Sequence, residues 1–278
     1  MQHNTPLTHM AARGRLLATE MVHRAASGHL GGSLSAMDIL ALLYGEVLRI
    51  DTKTPQDPER DRFVLSKGHV TPALYAILAL RGFFPETDLA LFRHIDGDLS
   101  GHPDMKHVPG VDMSTGSLGQ GISAAVGMAL AGQMDQKSYR VYTLLGDGEL
   151  GEGQVWEAAM AANKYKLSNL TAFVDVNGLQ IDGPTAQVMP LEPLGDKFRA
   201  FGWHVIDADG HDFASLRSAV TAAQQHTDGP TMILAKTVKG KGISFMEHVA
   251  GWHGKAPGDE EYAVARAELE AALERLEA

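Results

Sequence analysis

Two short polar turns, "GDGELGEG" at 146–153 and "DVNGLQIDG" at 175–183, each follow an apolar run. They place Asp147 and Asn177 thirty positions apart, both where a strand would end. Open α/β sheets bind ligands at such carboxyl ends. A carboxylate, an amide oxygen and a free backbone carbonyl are hard oxygen donors, suited to Mg2+ or Ca2+ bridging a diphosphate. Gly146 and Gly148 let the backbone turn and bring its N–H groups close to a phosphate without a Cβ in the way. Gly-Asp-Gly and Asn-Gly are also ordinary turn sequences. Their pairing at two strand ends points to a metal-diphosphate head group.

The elements that must carry these turns can be read from periodicity. Residues 8–26 hold Met10, Leu16, Leu17, Met21 and Val22 at helical spacing, and "SLSAMDILALLYGEVL" predicts a second helix with Ser35 as its N-cap. "FVLSKGH" reads as a strand ending in a turn, followed by a helix over "TPALYAILALRGF" with Pro72 in its first turn. Residues 86–115 are loop-rich, and a loop that long inside a domain is more often functional than idle. After the small-residue helix "ISAAVGMALAGQM", the runs "RVYTLLG", "LTAFVDV", "WHVIDAD" and "TMILAKT" alternate with helical stretches. That alternation predicts a doubly wound α/β fold, a mainly parallel sheet flanked by helices, as a single domain over residues 1–278. The tail "DEEYAVARAELEAALERLEA" reads as an amphipathic helix against the body.

Composition narrows the partners. A net charge of -10 argues against nucleic acid or an anionic membrane, since both need a dominant positive field. Without cysteine there is neither a disulfide framework nor a thiolate nucleophile. The start lacks the order of a signal peptide, and no run is read as long and apolar enough for a membrane span. The expectation is a cytoplasmic chain with no nucleic-acid or membrane partner.

"GDGELGEGQVWEA" followed by "DVNGLQIDG" resembles the thiamine-diphosphate signature of transketolases. "SGHLGGSLSAMDIL", "DRFVLSKGHVTPALYAIL", "GHPD", "STGSLGQGISAAVGMAL" and "WHGKAP" resemble further transketolase blocks, in the family's order, from about residue 8 to 257. The resemblance implies that Asp147, Asn177 and the Leu179 carbonyl ligate the metal. It implies His29 beside the thiazolium and substrate, His69 near the diphosphate, His102 facing substrate, and His253 near the diphosphate and the reacting carbon. Cofactor contacts would come from His69, Gly116, Ser117, Leu118, Gly146, Asp147, Gly148, Glu152, Asn177 and His253. Backbone groups of Gly116 and Leu118 would hold the aminopyrimidine, in a loop whose helix entry could be capped by Ser117 or Thr115. Glu152 matches a family glutamate at the subunit interface, or is an exposed first-turn acid. Lys239 and Lys241 could meet phosphate, yet strand-end lysines are usually solvated, and that is the expectation for both; His211 reads as structural.

Transketolases carry two further domains, including a pyrimidine-binding one whose glutamate meets the cofactor, and no segment here resembles them. The expectation is therefore the N-terminal subunit of a split transketolase. It would transfer a two-carbon ketol unit between sugars or sugar phosphates, with thiamine diphosphate and Mg2+ or Ca2+. Activity would require a separate C-terminal subunit, in an α2β2 heterotetramer. Competing readings are a non-catalytic, cofactor-binding regulatory subunit, another thiamine-diphosphate enzyme subunit such as a deoxyxylulose-phosphate synthase-like one, and a metal-dependent phosphohydrolase.

Overall fold

Apolar runs rich in Val, Leu, Ile and Phe become strands: β1 (Arg62–Leu65), β2 (Val141–Gly146), β3 (Leu170–Val176), the short hairpin β4 (Leu179–Gln180) and β5 (Gly183–Pro184), β6 (His204–Asp209) and β7 (Thr231–Lys236). The computed structural model describes residues 5–277; residues 1–4 and 278 of the expected domain lie outside the described residues. Five strands form one sheet in the order β1-β2-β3-β7-β6, every pair parallel. Parallel neighbours need crossovers, and helices supply them on both faces.

The helices are α1 (Thr5–Arg24), α2 (Leu30–Leu42), α3 (Thr71–Arg81), α4 (Gln120–Met134), α5 (Gly153–Lys164), the short α6 (Thr185–Val188), α7 (Leu194–Ala200), α8 (Phe213–Gln225) and α9 (Asp259–Glu277). Alternate strand residues face opposite layers. Tyr142, Leu144 and Phe173 join the core under α1, α2, α3, α8 and α9, while Val141, Leu145, Ala172 and Val174 join the core under α4, α5 and α7. This is the doubly wound arrangement the alternating runs predict.

Two expectations need correction. Ser35 is no N-cap: α2 begins at Leu30 after an extended His29, and the buried Ser35 hydroxyl instead donates to Asp175 at 2.6 Å. The stretch Leu30–Val47 is, against the sequence reading, long and apolar enough to cross a membrane by composition. Here 83% of that window is buried inside the domain, as its central helix. Pro72 does occupy the first turn of α3, where its missing N–H leaves no bond unmade. His211 is structural. It meets Asp38 of α2 at 2.6 Å through Nδ1 and accepts from the Val238 N–H through Nε2 at 2.9 Å, so it ties the end of β6 to both elements.

Candidate active site

The functional side chains gather where the sheet's carboxyl ends open. Beyond β2, the Asp147 carboxylate accepts from its neighbour Gly148 N–H at 2.8 Å and from Gly178 N–H at 2.6 Å. The second bond latches together the two turns singled out in the sequence. Asn177 Oδ1 accepts from Leu179 N–H at 3.1 Å, shaping the second turn. Burial first, then the Asp175 carboxylate nearby, pushes the Asp147 carboxyl up to about 6, so the position favours a bound cation.

Behind this edge lies a set of buried charges. Lys67, just past β1, donates to Asp175 at 2.6 Å. Ser35 and Thr237 also donate to that carboxylate, which stays ionised because Lys67 and these donors outweigh its burial. Glu149, equally buried, accepts from Ser66 Oγ at 2.5 Å, Gly119 N–H at 2.9 Å and Gly146 N–H at 3.0 Å. It fastens the end of β1, the entry to α4 and the end of β2 to one another. Lys239 corrects the expectation of a solvated lysine: it is 1% exposed, donates to the Leu179 carbonyl at 3.3 Å, and stands 2.9 Å from His253 Nδ1. Burial, then repulsion from Lys67, lowers its ammonium to about 8. Lys241 is half-buried, 3.5 Å from Glu247.

The four sequence-predicted histidines come from four separate segments and cluster around His29. Its ring lies 5.2 Å from His69, 5.5 Å from His253 and 6.5 Å from His102, centroid to centroid, and His69 and His253 are 5.0 Å apart. Burial, reinforced by neighbouring cations, keeps them neutral. It lowers His29 to about 4, with Arg93 next in effect, and His253 to about 3, with Lys239 next. His69 is held well below its ordinary value by burial and then Lys67, and His102 is lowered by burial and then Arg93. Because Lys239 donates to His253 Nδ1, the neutral His253 carries its proton on Nε2.

A cavity of about 240 Å³ runs between these groups. Of the expected residues, His29, His69, His253, Gly116, Leu118, Gly146, Asp147, Gly148, Asn177 and Leu179 line it, together with Lys67, Glu149, Gln180 and Lys239. His102 lies beside it, packed over Gly116, where an added Cβ would come 3.1 Å from the imidazole. Ser117 and Glu152 are exposed and off the lining, Glu152 at the start of α5 against Gly119. The entry to α4 is not capped by Ser117 or Thr115 as expected. Gly119 takes that position at φ 82°, and the Thr115 hydroxyl donates to the Leu65 carbonyl instead.

The lining suits a metal-diphosphate group on three counts. Asp147, Asn177 and the Leu179 carbonyl supply oxygen donors. His29 Nδ1 and Gln180 Nε2 are buried with no hydrogen-bond partner, as expected of groups awaiting a polar ligand. Gly148 leaves no room for a side chain, since a Cβ would fall 2.9 Å from Gln180 Cβ. Among the described residues no three His, Asp or Glu side chains are grouped to hold a metal, so a cation here would rest on the Asp147 carboxylate with amide, carbonyl and ligand oxygens.

Comparison with known proteins agrees with this geometry. Residues 7–274 match the family model described as transketolase, thiamine diphosphate binding domain. The chain is 51% identical over 264 residues to a 6-deoxy-6-sulfo-D-fructose transketolase subunit of Clostridium sp. (strain MSTE9), covering 95% of this chain and 96% of that one. It is 42% identical over 265 residues to an apulose-4-phosphate transketolase subunit of Phocaeicola vulgatus, covering 95% and 94%. The crystal structure of Campylobacter jejuni transketolase superimposes with a TM-score of 0.90 at 32% identity, over 99% of this chain and 46% of that one. The chain thus spans nearly all of the two named subunits and about half of the solved transketolase.

Proposed function

Because this chain belongs to the transketolase family, matching its thiamine-diphosphate-binding domain, we propose that it is the N-terminal subunit of a split transketolase. The observation that carries the reading is the convergence of His29, His69, His102 and His253, all held neutral, on the edge that presents Asp147, Asn177 and Leu179. Two relatives of nearly the same length are themselves named as transketolase subunits, which supports a separately encoded C-terminal partner; we place the two chains in an α2β2 assembly as part of the proposal.

Bound thiamine diphosphate would supply the electron sink for cleaving a ketose between carbons 2 and 3. The chain's own residues hold and orient it. Asp147, Asn177 and the Leu179 carbonyl would take a Mg2+ or Ca2+ on the diphosphate, whereas the Gly146 and Gly148 N–H groups, against the sequence expectation, are already bonded to Glu149 and Asp147. Backbone groups of Gly116 and Leu118 hold the aminopyrimidine, next to Ser117. His69 and the Lys239–His253 pair face the diphosphate end. His253 then has a free Nε2–H to donate to a sugar oxygen as negative charge develops. His29 and His102, neutral at physiological pH, hydrogen-bond sugar hydroxyls and move protons there. Glu152, exposed beside Gly119, is placed to face a neighbouring copy.

The test is ketol transfer by the chain with its candidate C-terminal subunit, thiamine diphosphate and Mg2+. 6-Deoxy-6-sulfo-D-fructose and fructose 6-phosphate would be compared as donors. Transfer only with both chains supports the reading. Cofactor binding that alters a complete enzyme without turnover supports the regulatory alternative.

A further inference from the structure

Arg93 sits outside every motif read from the sequence, yet it joins the two Gly-His segments that carry His29 and His102. Its backbone lies in the left-handed region at φ 56°, where a residue other than glycine stays only if its surroundings hold it. The Arg93 N–H closes its own loop on the Leu99 carbonyl at 2.8 Å. Its Nη1 donates to Ser27 Oγ at 3.1 Å, immediately before Gly28-His29.

The same guanidinium packs against Gly101. A Cβ there would fall 2.5 Å from Arg93 Cζ and 2.6 Å from Nη2, so a side chain at 101 would push the guanidinium aside. The preceding Phe92 is buried against Gly28, where a Cβ would fall 3.3 Å from the ring. On the other side, Thr71 Oγ1 donates to the Gly101 carbonyl at 3.0 Å and Tyr75 OH to the His102 carbonyl at 3.1 Å. Those two bonds anchor His102 to α3, and neither connects it to His29. Arg93 makes that connection.

We propose that Arg93 is a positioning residue, joining Ser27 to Gly101 and so setting the spacing of the His29 and His102 rings. After burial, its charge is the next cause lowering both imidazoles and helps keep them neutral. A lysine cannot replace it, because an ammonium on a flexible stem does not lie across a glycine as a planar guanidinium does. The consequence for turnover rests on the transketolase reading; the ring spacing does not.

The test uses the full chain with isotope-labelled histidine, as wild type, Arg93→Gln, Arg93→Lys and Gly101→Ala. Imidazole signals are assigned from His29→Gln, His69→Gln and His102→Gln. All three Arg93 and Gly101 variants are expected to shift the His29 and His102 signals and leave His69 in place. The Arg93 variants should unfold within about 2 °C of wild type, as exposed positions do. In the complex with the C-terminal subunit, kcat should fall by up to about a hundredfold in Arg93→Gln, the scale of a catalytic group misplaced by roughly 1 Å, with the Kd for thiamine diphosphate unchanged. Unmoved His29 and His102 signals in Arg93→Lys, which keeps the charge and loses only the planar contact, overturn the proposal, and so does an equal shift of His69, which would mean general loosening. Absence of ketol transfer by the wild-type complex defeats the functional reading while the imidazole signals still decide this one.

Discussion

The Lys67 ammonium and the Asp175 carboxylate stand 2.6 Å apart, with side-chain exposures of 2% and 0%. They connect the end of β1 to β3 directly behind Asp147, and Ser35 and Thr237 complete the carboxylate's shell. A buried pair of this kind adds little net stability over an apolar pair, but leaving one member alone is costly. The floor of the cofactor cavity therefore rests on two charges that must be kept or removed together.

Asp175→Ala should destabilise the chain by about 3–5 kcal/mol, the cost of stranding a buried charge. The double variant Lys67→Met with Asp175→Leu should recover much of that loss. Urea unfolding of Asp175→Ala, Lys67→Met, Asp175→Leu and the double variant checks it. Additive losses would show that the two groups do not act as a pair.

Glu149 makes a second prediction, because its two oxygens serve different walls. Oε1 accepts from Ser66 and Gly119, and Oε2 from Gly146. Glu149→Ala leaves all three donors without an acceptor, at a cost of about 1–3 kcal/mol for each buried group not rescued by water. Glu149→Gln can keep the Gly119 bond but turns an amide N–H toward the Gly146 N–H. Amide hydrogen exchange should show Gly146 opening in both variants and Gly119 in the alanine variant only.

The third prediction concerns pH. Burial, with Arg93 next, lowers His29 from 6.5 to about 4 in the folded chain. Between those values the unfolded chain binds a proton that the folded chain refuses, so His29 contributes stability that is complete above 6.5 and lost as pH falls toward 4. Asp147, raised to about 6, acts in the opposite direction over part of that window, so each pH needs wild type and variant side by side. The unfolding free energy of wild type minus His29→Gln should shrink as pH falls from 6.5 to 4. A constant difference would show that His29 is not buried as a neutral ring.

Much of this arrangement is legible in the sequence, for physical reasons that also mark the limits. The apolar runs behind β2, β3 and β7 stand out because central strands of a parallel sheet are covered on both faces, while β6 at the sheet edge is only partly covered. Asp147 and Asn177 stand out because two glycine turns, each ordinary alone, fall at two strand ends thirty positions apart, whereas Leu179 as a ligand follows only from the family resemblance. Ser35 misleads because α2 is buried all round, which leaves no polar face to mark where it starts. Lys239 misleads because lysines after a strand are ordinarily solvated. Here Gly240 N–H bonds the Gly31 carbonyl at 3.0 Å and His248 N–H bonds the Lys239 carbonyl at 3.0 Å, folding the following segment over it. Asp175 does leave a signal, an acid inside the otherwise apolar run "LTAFVDV", which demands a buried partner.

The central claim is a metal-diphosphate site completed by a second chain, and calorimetric titration tests it most directly. Thiamine diphosphate with Mg2+ is titrated into wild type and Asp147→Ala, each with and without the candidate C-terminal subunit. The account predicts that wild type binds, that the partner tightens binding, and that Asp147→Ala abolishes it in both settings. Wild type failing to bind in a verified complex, or Asp147→Ala binding as tightly as wild type, would contradict it.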